Sequence, residues 1–194
     1  MEKLIIASNN AGKIQELKEM TANHFVVVSM QEAGFLEDIV EDGHTFLQNA
    51  QIKARVIFAK THCATLSDDS GLCVDALGGE PGVYSARYAK DHDNDANIQA
   101  VLDKMQGVKD RRAKFVCAMC YIDKQGKEYA LVGESFGEIA KARRGHNGFG
   151  YDSIFVSQDL GVTFAEANFL QKKSVSHRAR AFEKLKQVWG INPQ

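Results

Sequence analysis

The chain has 194 residues, with 25 acidic side chains and 24 lysines and arginines, which gives a net charge of −1. This length is enough to bury the core of one domain. Hydrophobic residues make up 44% of the chain and charged residues 25%, as in an ordinary globular protein. A net charge near zero argues against a broad basic surface, so we expect no nucleic-acid partner. The first residues lack the apolar segment of a signal peptide, and no stretch approaches a membrane span. We therefore expect a cytoplasmic protein without a membrane partner.

Four cysteines are present, and two of them form a C-x-x-C motif, Cys117 and Cys120. The surrounding residues read as a β-strand, on which a spacing of three places the two thiols on opposite faces. Such a pair cannot chelate one metal ion together. We therefore expect reduced thiols rather than a disulfide framework or a zinc site.

In chain order, the hydrophobic pattern first predicts two strand–helix pairs. They are a strand over 3–8, a helix over 12–21, a strand over 25–29 and an amphipathic helix over 45–61. Two short strands, 63–66 and 72–74, are expected on either side of Asp69.

In the second half of the chain, the pattern predicts two long consecutive strands instead of alternating strands and helices. A helix capped by Asp93 or Asn94 is predicted to run to Met105. The β-rich runs follow over 112–123 and 128–140 with a hairpin signal between them, then a strand over 153–156 and a helix over 176–189. We predict an α/β (mixed α+β) fold built on a mixed sheet, in a single domain over 1–194.

The densest polar run is 67–88, where Asp68 and Asp69 follow a short apolar strand. Carboxylates at the end of a buried strand are costly unless cations or donors face them. Mg²⁺ is usually held by one or two carboxylates together with substrate phosphates. The alternative is a polar turn between two core strands, with Ser70 and Gly71 making the bend. This run alone does not decide between them.

Three further clusters carry polar chemistry. The first, Ser8 to Lys13, lies where the first strand turns into the first helix, and helix N-termini attract phosphate. It is not a Walker A motif, because Ile14 stands where the magnesium-binding Ser or Thr would be. An Asn-capped helix start explains the same residues equally well.

The second cluster is the loop 143–152, in which glycines flank Phe149. An aromatic ring between glycines offers a stacking face for a nucleobase. The alternative is a flexible loop with Phe149 packed into the core.

The third cluster, 172–178, leads into the last predicted helix with Lys172, Lys173, His177 and Arg178. Cations in the first turn of a helix oppose its dipole. That unfavourable placement favours an anionic ligand over a solvated basic turn.

Taken together, these clusters resemble the inosine triphosphate pyrophosphatase family, the non-canonical purine nucleoside triphosphate pyrophosphatases. The resemblance runs from Ser8 to Arg178. It lies in Ser-Asn-Asn-x-x-Lys, in Asp-Asp-Ser-Gly-Leu-x-Val-Asp-x-Leu-Gly-Gly-x-Pro-Gly-x-Tyr-Ser-Ala-Arg-Tyr, in Gly-Phe-Gly-Tyr-Asp and in Ser-His-Arg. The long central motif is highly specific, and the short motifs gain weight from their order.

The resemblance implies a Mg²⁺-dependent hydrolase that converts ITP, dITP or XTP to the monophosphate and pyrophosphate. It also implies an elongated mixed sheet in two lobes with a central cleft, and a homodimer. Two alternatives to this function remain: a pyrophosphatase for other modified nucleotides, and a sensor that binds nucleotides without turnover.

Site residues follow from the resemblance, motif by motif. The phosphates would be held by Ser8, Asn9, Asn10, Ala11, Gly12 and Lys13, with help from Lys53. The metal would be bound by Glu41 and Asp69, and Asp69 would also accept the proton of the attacking water. The nucleotide would contact Ser70, Phe149, Gly150, Tyr151, Asp152, Lys172, His177 and Arg178.

The sequence departs from the family pattern at two places. Gln48 stands where many members have Glu before Asn-Ala, and Gln171 opens a Gln-Lys-Lys run that replaces a more acidic Glu-Lys. Donors such as His177 or Arg178 suit the 6-oxo group of hypoxanthine and xanthine, and they would reject the 6-amino group of adenine.

Overall fold

The computed structural model describes residues 1–21 and 24–191. The strands are β1 Glu2–Ile6, β2 Phe25–Ser29, β3 Ala64–Val74, β4 Arg112–Ile122, β5 Glu128–Ile139 and β6 Phe155–Ser157. The helices are α1 Ala11–Thr21, α2 Phe46–Thr61, α3 Asn94–Lys104, α4 Phe169–Val175 and α5 His177–Val188. The predicted mixed α/β fold is confirmed.

One six-stranded sheet has the order β2-β1-β3-β4-β5-β6. Strand β1 lies parallel to both of its neighbours, with Ile6 opposite Ser29 of β2 and Leu66 of β3. At the other edge, β5 and β6 are antiparallel, with Ile139 opposite Phe155. The sheet is therefore mixed. The carboxyl end of β1 lies beside Leu66, and β3 continues from there through Asp68 and Asp69. Ligands of open α/β sheets bind at the carboxyl ends of strands.

The chain forms two compact units. The first contains Met1–Asp69, Ala118–Val132 and the chain from Ala181 onward, and the second contains Ser70–Cys117 and Gly133–Arg180. The core of the first unit packs β1 against α2 through buried residues such as Ile5 and Ile57. The core of the second is an aromatic and aliphatic cluster that includes Phe115, Phe155 and Phe164. The prediction of a single domain stays a prediction.

The single tryptophan, Trp189, packs among rings of the first unit. Its ring centroid lies 4.7 Å from that of Phe25, 5.6 Å from that of Tyr121 and 5.6 Å from that of Phe182. Tilted and edge-on arrangements at these separations are favourable for aromatic pairs. The cluster joins the chain after α5 to β2 and β4.

Most sequence-predicted elements are confirmed, but the polar run around Asp69 is corrected. The two short strands expected on either side of Asp69 form one strand, β3, which continues from Ala64 to Val74. The alternative of a turn at Ser70 and Gly71 is therefore wrong. Strand continuity is possible because distant groups bind the polar atoms: Ser67 Oγ donates to the carbonyl of Ala50, and the N–H of Leu72 donates to Ser85 Oγ.

A second correction concerns the basic run before the last helix. Lys172 and Lys173 lie in the last turn of a separate helix, α4, which begins with Asn168 as its N-cap. Cations at the C-terminal end of a helix interact favourably with its dipole and stabilise the helix. The dipole argument for an anionic ligand is therefore wrong for both lysines. It applies only to His177 and Arg178, which open α5.

All four thiols, which lie within the described residues, are unbridged. Cys117 and Cys120 are buried in β4, and burial raises the pKa of Cys120 to about 12. Among the described residues, no helix combines the length and apolar character needed to cross a membrane.

Candidate active site

The loop Ser8 to Lys13 follows β1 and leads directly into α1. Asn10 caps the helix, since its side-chain Oδ1 accepts from the N–H of Lys13 at 3.1 Å. Ser8 is buried, and its Oγ accepts from the N–H of Asn10. The predicted Asn cap is thus present. It is compatible with a phosphate site, because Ala11 and Gly12 add backbone N–H groups to the same first turn, which contains no acidic residue.

Lys13 reaches back from α1 to the middle of β3. Its Nζ lies 3.4 Å from Asp68 Oδ2, and the Asp68 side chain is fully buried. A buried carboxylate needs such a cation, because desolvation would otherwise favour its neutral form. Asp68 therefore ties the predicted phosphate-binding loop to the strand that carries Asp69.

One face of α2 binds both Glu41 and Asp69. Lys53 Nζ lies 2.8 Å from Glu41 Oε2, and Asn49 Nδ2 donates to Asp69 Oδ2 at 2.9 Å. Asn49 and Lys53 are four residues apart, so they occupy the same side of the helix. We call Glu41, Asn49, Lys53 and Asp69 the carboxylate cluster.

The donor set of this cluster fits Mg²⁺ in its usual protein setting. Glu41 and Asp69 supply hard carboxylate oxygens, and Mg²⁺ is often held by one or two carboxylates together with substrate phosphates. Among the described residues, no group of three or more His, Cys, Asp or Glu could hold a metal ion alone. Two carboxylates together with the oxygens of a polyphosphate would supply such a setting.

In the second unit, Asp152 organises the loop that precedes β6. Its Oδ2 accepts from the N–H of Phe149 at 2.9 Å and from Lys172 Nζ at 2.7 Å. Both Asp152 and Lys172 are buried. The ion pair fixes α4 against the loop and sets the direction in which Phe149 leaves it.

The ring of Phe149 is half-buried and lies next to two cations. Lys172 Nζ is 4.9 Å from the ring centroid, and the guanidinium carbon of Arg178 is 5.9 Å from it. Arg178 is 1% exposed, and its Nη2 donates to Ser70 Oγ at 3.0 Å. We call Ser70, Phe149, Asp152, Lys172 and Arg178 the Phe149 cluster. Phe149 is not among the buried core residues, so the alternative that it packs into the core is wrong.

His177 lies next to Arg178 in the chain and is almost fully buried. Its ring stacks on Phe115 with a centroid distance of 4.7 Å and an interplanar angle of 12°. This contact fixes the plane of the imidazole. The first two residues of α5 thus present two potential donors, the imidazole of His177 and the guanidinium of Arg178, in defined orientations.

Tyr151 has a structural contact of its own. It is buried, its hydroxyl donates to the carbonyl of Ser85 at 2.8 Å, and burial raises its pKa. Gly150, with φ of 55°, precedes it at the start of a 3-10 helix, Gly150–Ser153. A Cβ at Gly148 would lie 2.1 Å from Asp152 Oδ2, so only glycine fits beside that carboxylate.

The structure thus gathers the sequence-predicted residues into two groups. Those expected to bind phosphate or metal lie in the first unit: Ser8, Asn9, Asn10, Ala11, Gly12, Lys13, Glu41, Lys53 and Asp69. Those expected to contact the nucleotide lie in the second: Ser70, Phe149, Gly150, Tyr151, Asp152, Lys172, His177 and Arg178. Asn9 is the outlier within its group, because its exposed side chain bonds Asp38.

Sequence reasoning gave no role to Asn49 or to Gly43, and it treated Asp68 only as a neighbour of Asp69. The spacing Asn49–Lys53 was a usable signal, because it places an amide one helical turn from a lysine assigned to the site. Their partners, however, lie in other parts of the chain.

The two departures from the family pattern both fall at the third residue of a helix. Gln171 forms a reciprocal capping box with Asn168 in α4. Gln48 accepts from the N–H of His44, while its own N–H donates to Thr45 Oγ1, the N-cap of α2. Glu and Gln serve this position alike. Both glutamines therefore have a helix-capping role.

Comparison with known proteins agrees with this arrangement of strands and polar clusters. The model of the Ham1 family matches residues 4–188. A protein from Leuconostoc mesenteroides, named dITP/XTP pyrophosphatase, is 46% identical over 190 residues and the match covers 94% of each chain. One from Bacillus subtilis with the same name is 44% identical over 193 residues, covering 97% of each chain.

Solved structures give the same answer. The Staphylococcus aureus Ham1 protein superimposes with a TM-score of 0.88 at 38% sequence identity, covering 97% of this chain and 98% of that one. The fold and the motifs therefore place this chain in a class of mixed α/β proteins that share the six-stranded sheet. The chain belongs to the Ham1 family, and this confirms the resemblance drawn from the motifs.

Proposed function

We propose that this protein hydrolyses non-canonical purine nucleoside triphosphates, ITP, dITP and XTP, to the monophosphate and pyrophosphate. The activity named for relatives more than 40% identical over nearly the whole chain supports the proposal. The observation that carries it is the carboxylate cluster, in which one face of α2 binds two carboxylates, Asp69 through Asn49 and Glu41 through Lys53.

The phosphates are bound by the N-terminus of α1 and by lysines. The loop Ser8 to Lys13 offers backbone N–H groups of the first helical turn, where the helix dipole favours anions. Lys13 and Lys53 add positive charge, and each is already held by a carboxylate, Asp68 and Glu41 respectively. Their ammonium groups are therefore oriented before substrate arrives, which lowers the entropic cost of binding.

The metal proposed for this site is Mg²⁺, bound by Glu41 and Asp69 together with the phosphates. When bound, it neutralises charge on the phosphoryl oxygens. Asp69 accepts a hydrogen bond, and then a proton, from the water that attacks the α-phosphorus. A bond forms between that water oxygen and the α-phosphorus, and the bond to the bridging oxygen of the β-phosphate breaks. Pyrophosphate leaves with that oxygen.

The base is recognised by the Phe149 cluster and His177. The ring of Phe149 stacks on the purine, since every base has a π-face. His177 and Arg178 offer donors to the 6-oxo group of hypoxanthine or xanthine. Adenine would present a 6-amino donor to these donors, and unpaired buried groups give strong rejection.

Pyrophosphate release from a nucleotide panel tests the function. We expect turnover of ITP, dITP and XTP with Mg²⁺, and little turnover of ATP, dGTP, dTTP or dUTP. Preference for dTTP or dUTP would favour the alternative of a pyrophosphatase for other nucleotides. Tight binding of ITP without pyrophosphate release would favour a sensor. Either result would overturn the proposal.

Replacing Lys13 tests phosphate binding. We expect Lys13→Ala to raise KM by about 10- to 100-fold with little change in kcat, as for interactions made equally in the ground and transition states. The variant also removes the cation beside the buried Asp68, so we expect a lower Tm. The double variant Lys13→Ala/Asp68→Asn should regain most of the Tm but not the KM. A fall in kcat alone would instead give Lys13 a transition-state role.

Two further expectations stand as proposals. The first, a homodimer, rests on the family resemblance, and sedimentation equilibrium would test it. The second, a cytoplasmic location, rests on the sequence of the first residues and on the cysteines, whose thiols would stay reduced there. Cell fractionation would test it.

A further inference from the structure

Through one amide, Asn49 links the Asp69 carboxylate to the segment that carries Glu41. It is 1% exposed and lies on α2. Its Nδ2 donates to Asp69 Oδ2 at 2.9 Å, and its Oδ1 accepts from the N–H of Gly43 at 2.9 Å. Gly43 is two residues after Glu41. A single buried side chain therefore binds one proposed metal ligand directly and the backbone beside the other.

The absence of a side chain at Gly43 allows its backbone to approach the amide of Asn49 closely. A Cβ added there would lie 2.6 Å from Asn49 Oδ1 and 2.8 Å from Gln48 Cβ. Contacts under 3.0 Å of this kind force the backbone to move, so any other residue at position 43 would push the segment away from α2. The close approach and the hydrogen bond point to the same requirement, a fixed position for the segment that carries Glu41.

This segment has little regular structure to hold it. Residues 35–45 lie outside the helices and strands, and the nearby Val40 is 76% exposed. Glu41 is therefore held by two contacts with α2: its side chain to Lys53 and its neighbouring backbone to Asn49. An aspartate at position 49 would lose the donor to Asp69, and an alanine would lose both bonds.

We propose that Asn49 is a positioning residue that sets the orientation of Asp69 and the placement of Glu41 for metal binding. The inference rests on the proposed function, because it assigns Asn49 a role toward the metal of that reaction. Groups that orient metal ligands typically contribute about 10- to 100-fold to metal affinity or activity when they are removed.

The test uses one variant at each end of the hydrogen bond between Asn49 and Gly43. We expect Asn49→Ala and Gly43→Ala each to raise the Mg²⁺ concentration needed for half-maximal pyrophosphate release by about 10- to 100-fold. Because both variants break one link, the double variant should be little worse than Asn49→Ala alone. If Asn49→Ala does not fold, Gly43→Ala still tests the proposal.

A matched control is Asn97→Ala, which removes another amide that is 1% exposed. Asn97 lies on α3 and bonds the backbone of Ala86, Ala89 and Lys90. We expect it to lower the Tm without changing the Mg²⁺ requirement. Equal Mg²⁺ requirements in wild type and Asn49→Ala, with only the Tm lowered, would reduce Asn49 to a structural residue and overturn the proposal.

A second readout separates this inference from the proposed function. Binding of Mn²⁺ in the presence of α,β-imido-ITP is followed by electron paramagnetic resonance, which needs no turnover. Weaker Mn²⁺ binding in Asn49→Ala than in wild type supports the positioning role even if the wild type releases no pyrophosphate. Unchanged Mn²⁺ binding, or none in either protein, overturns it.

Discussion

We expect Asp69→Asn to abolish nearly all pyrophosphate release while the protein folds normally. The substitution is isosteric, and its carbonyl oxygen can still accept from Asn49 Nδ2. It would remove the negative charge and the base that the proposed function assigns to Asp69. Loss of charge stabilisation of this kind costs about 10²- to 10³-fold in kcat, and loss of the base adds to it.

The measurement is kcat for ITP at saturating Mg²⁺, with Tm as the check on folding. Asp110→Asn is a suitable control, because Asp110 is an exposed carboxylate paired with Arg112. We expect that control to keep wild-type turnover. If Asp69→Asn retained turnover close to that of the control, Asp69 would have neither role.

We expect Asp152→Ala to cause the largest loss of stability among the site variants. Asp152 is the buried carboxylate that accepts from Lys172 and from the N–H of Phe149. Removing one partner of a buried ion pair costs about 3–5 kcal/mol, because the other charge stays desolvated. In a chain of this size that corresponds to a fall in Tm of roughly 10 °C. KM should rise as well, since Phe149 loses its orientation.

Asp159→Ala is the matched control for this variant. Asp159 pairs with Arg180, and both side chains are 38% exposed, so the expected cost is about 0–1 kcal/mol. The double variant Asp152→Ala/Lys172→Met removes both buried charges. We expect it to regain much of the Tm but not the KM. A Tm for Asp152→Ala equal to that of Asp159→Ala would contradict the account.

Sequence patterns predicted the elements whose signals are local. Strand β2 matched its predicted range, and α2 began where Thr45 was available as an N-cap. The periodicity of buried residues is enough for such elements, because each of them packs one face against the core. Apart from Asn49, the members of the two clusters were named from the sequence, and their functional roles stay predictions.

What the sequence could not predict depends on partners far along the chain. Strand β3 continues through Asp68 because Lys13, 55 residues earlier, neutralises it. Asn49 gained a role only once Asp69 and Gly43 were seen on either side of its amide. Local turn signals contain no information about such partners, so they favoured a bend where the chain in fact continues.

The rings around Trp189 make this residue an intrinsic spectroscopic reporter. Since the chain has one tryptophan and its ring partners Phe25, Tyr121 and Phe182 all belong to the first unit, its fluorescence during denaturation follows that unit. Far-UV circular dichroism follows helices and strands of both. Coincident transitions by the two probes would mean that the whole chain unfolds cooperatively, and a lag between them would mean that each unit melts at its own denaturant concentration.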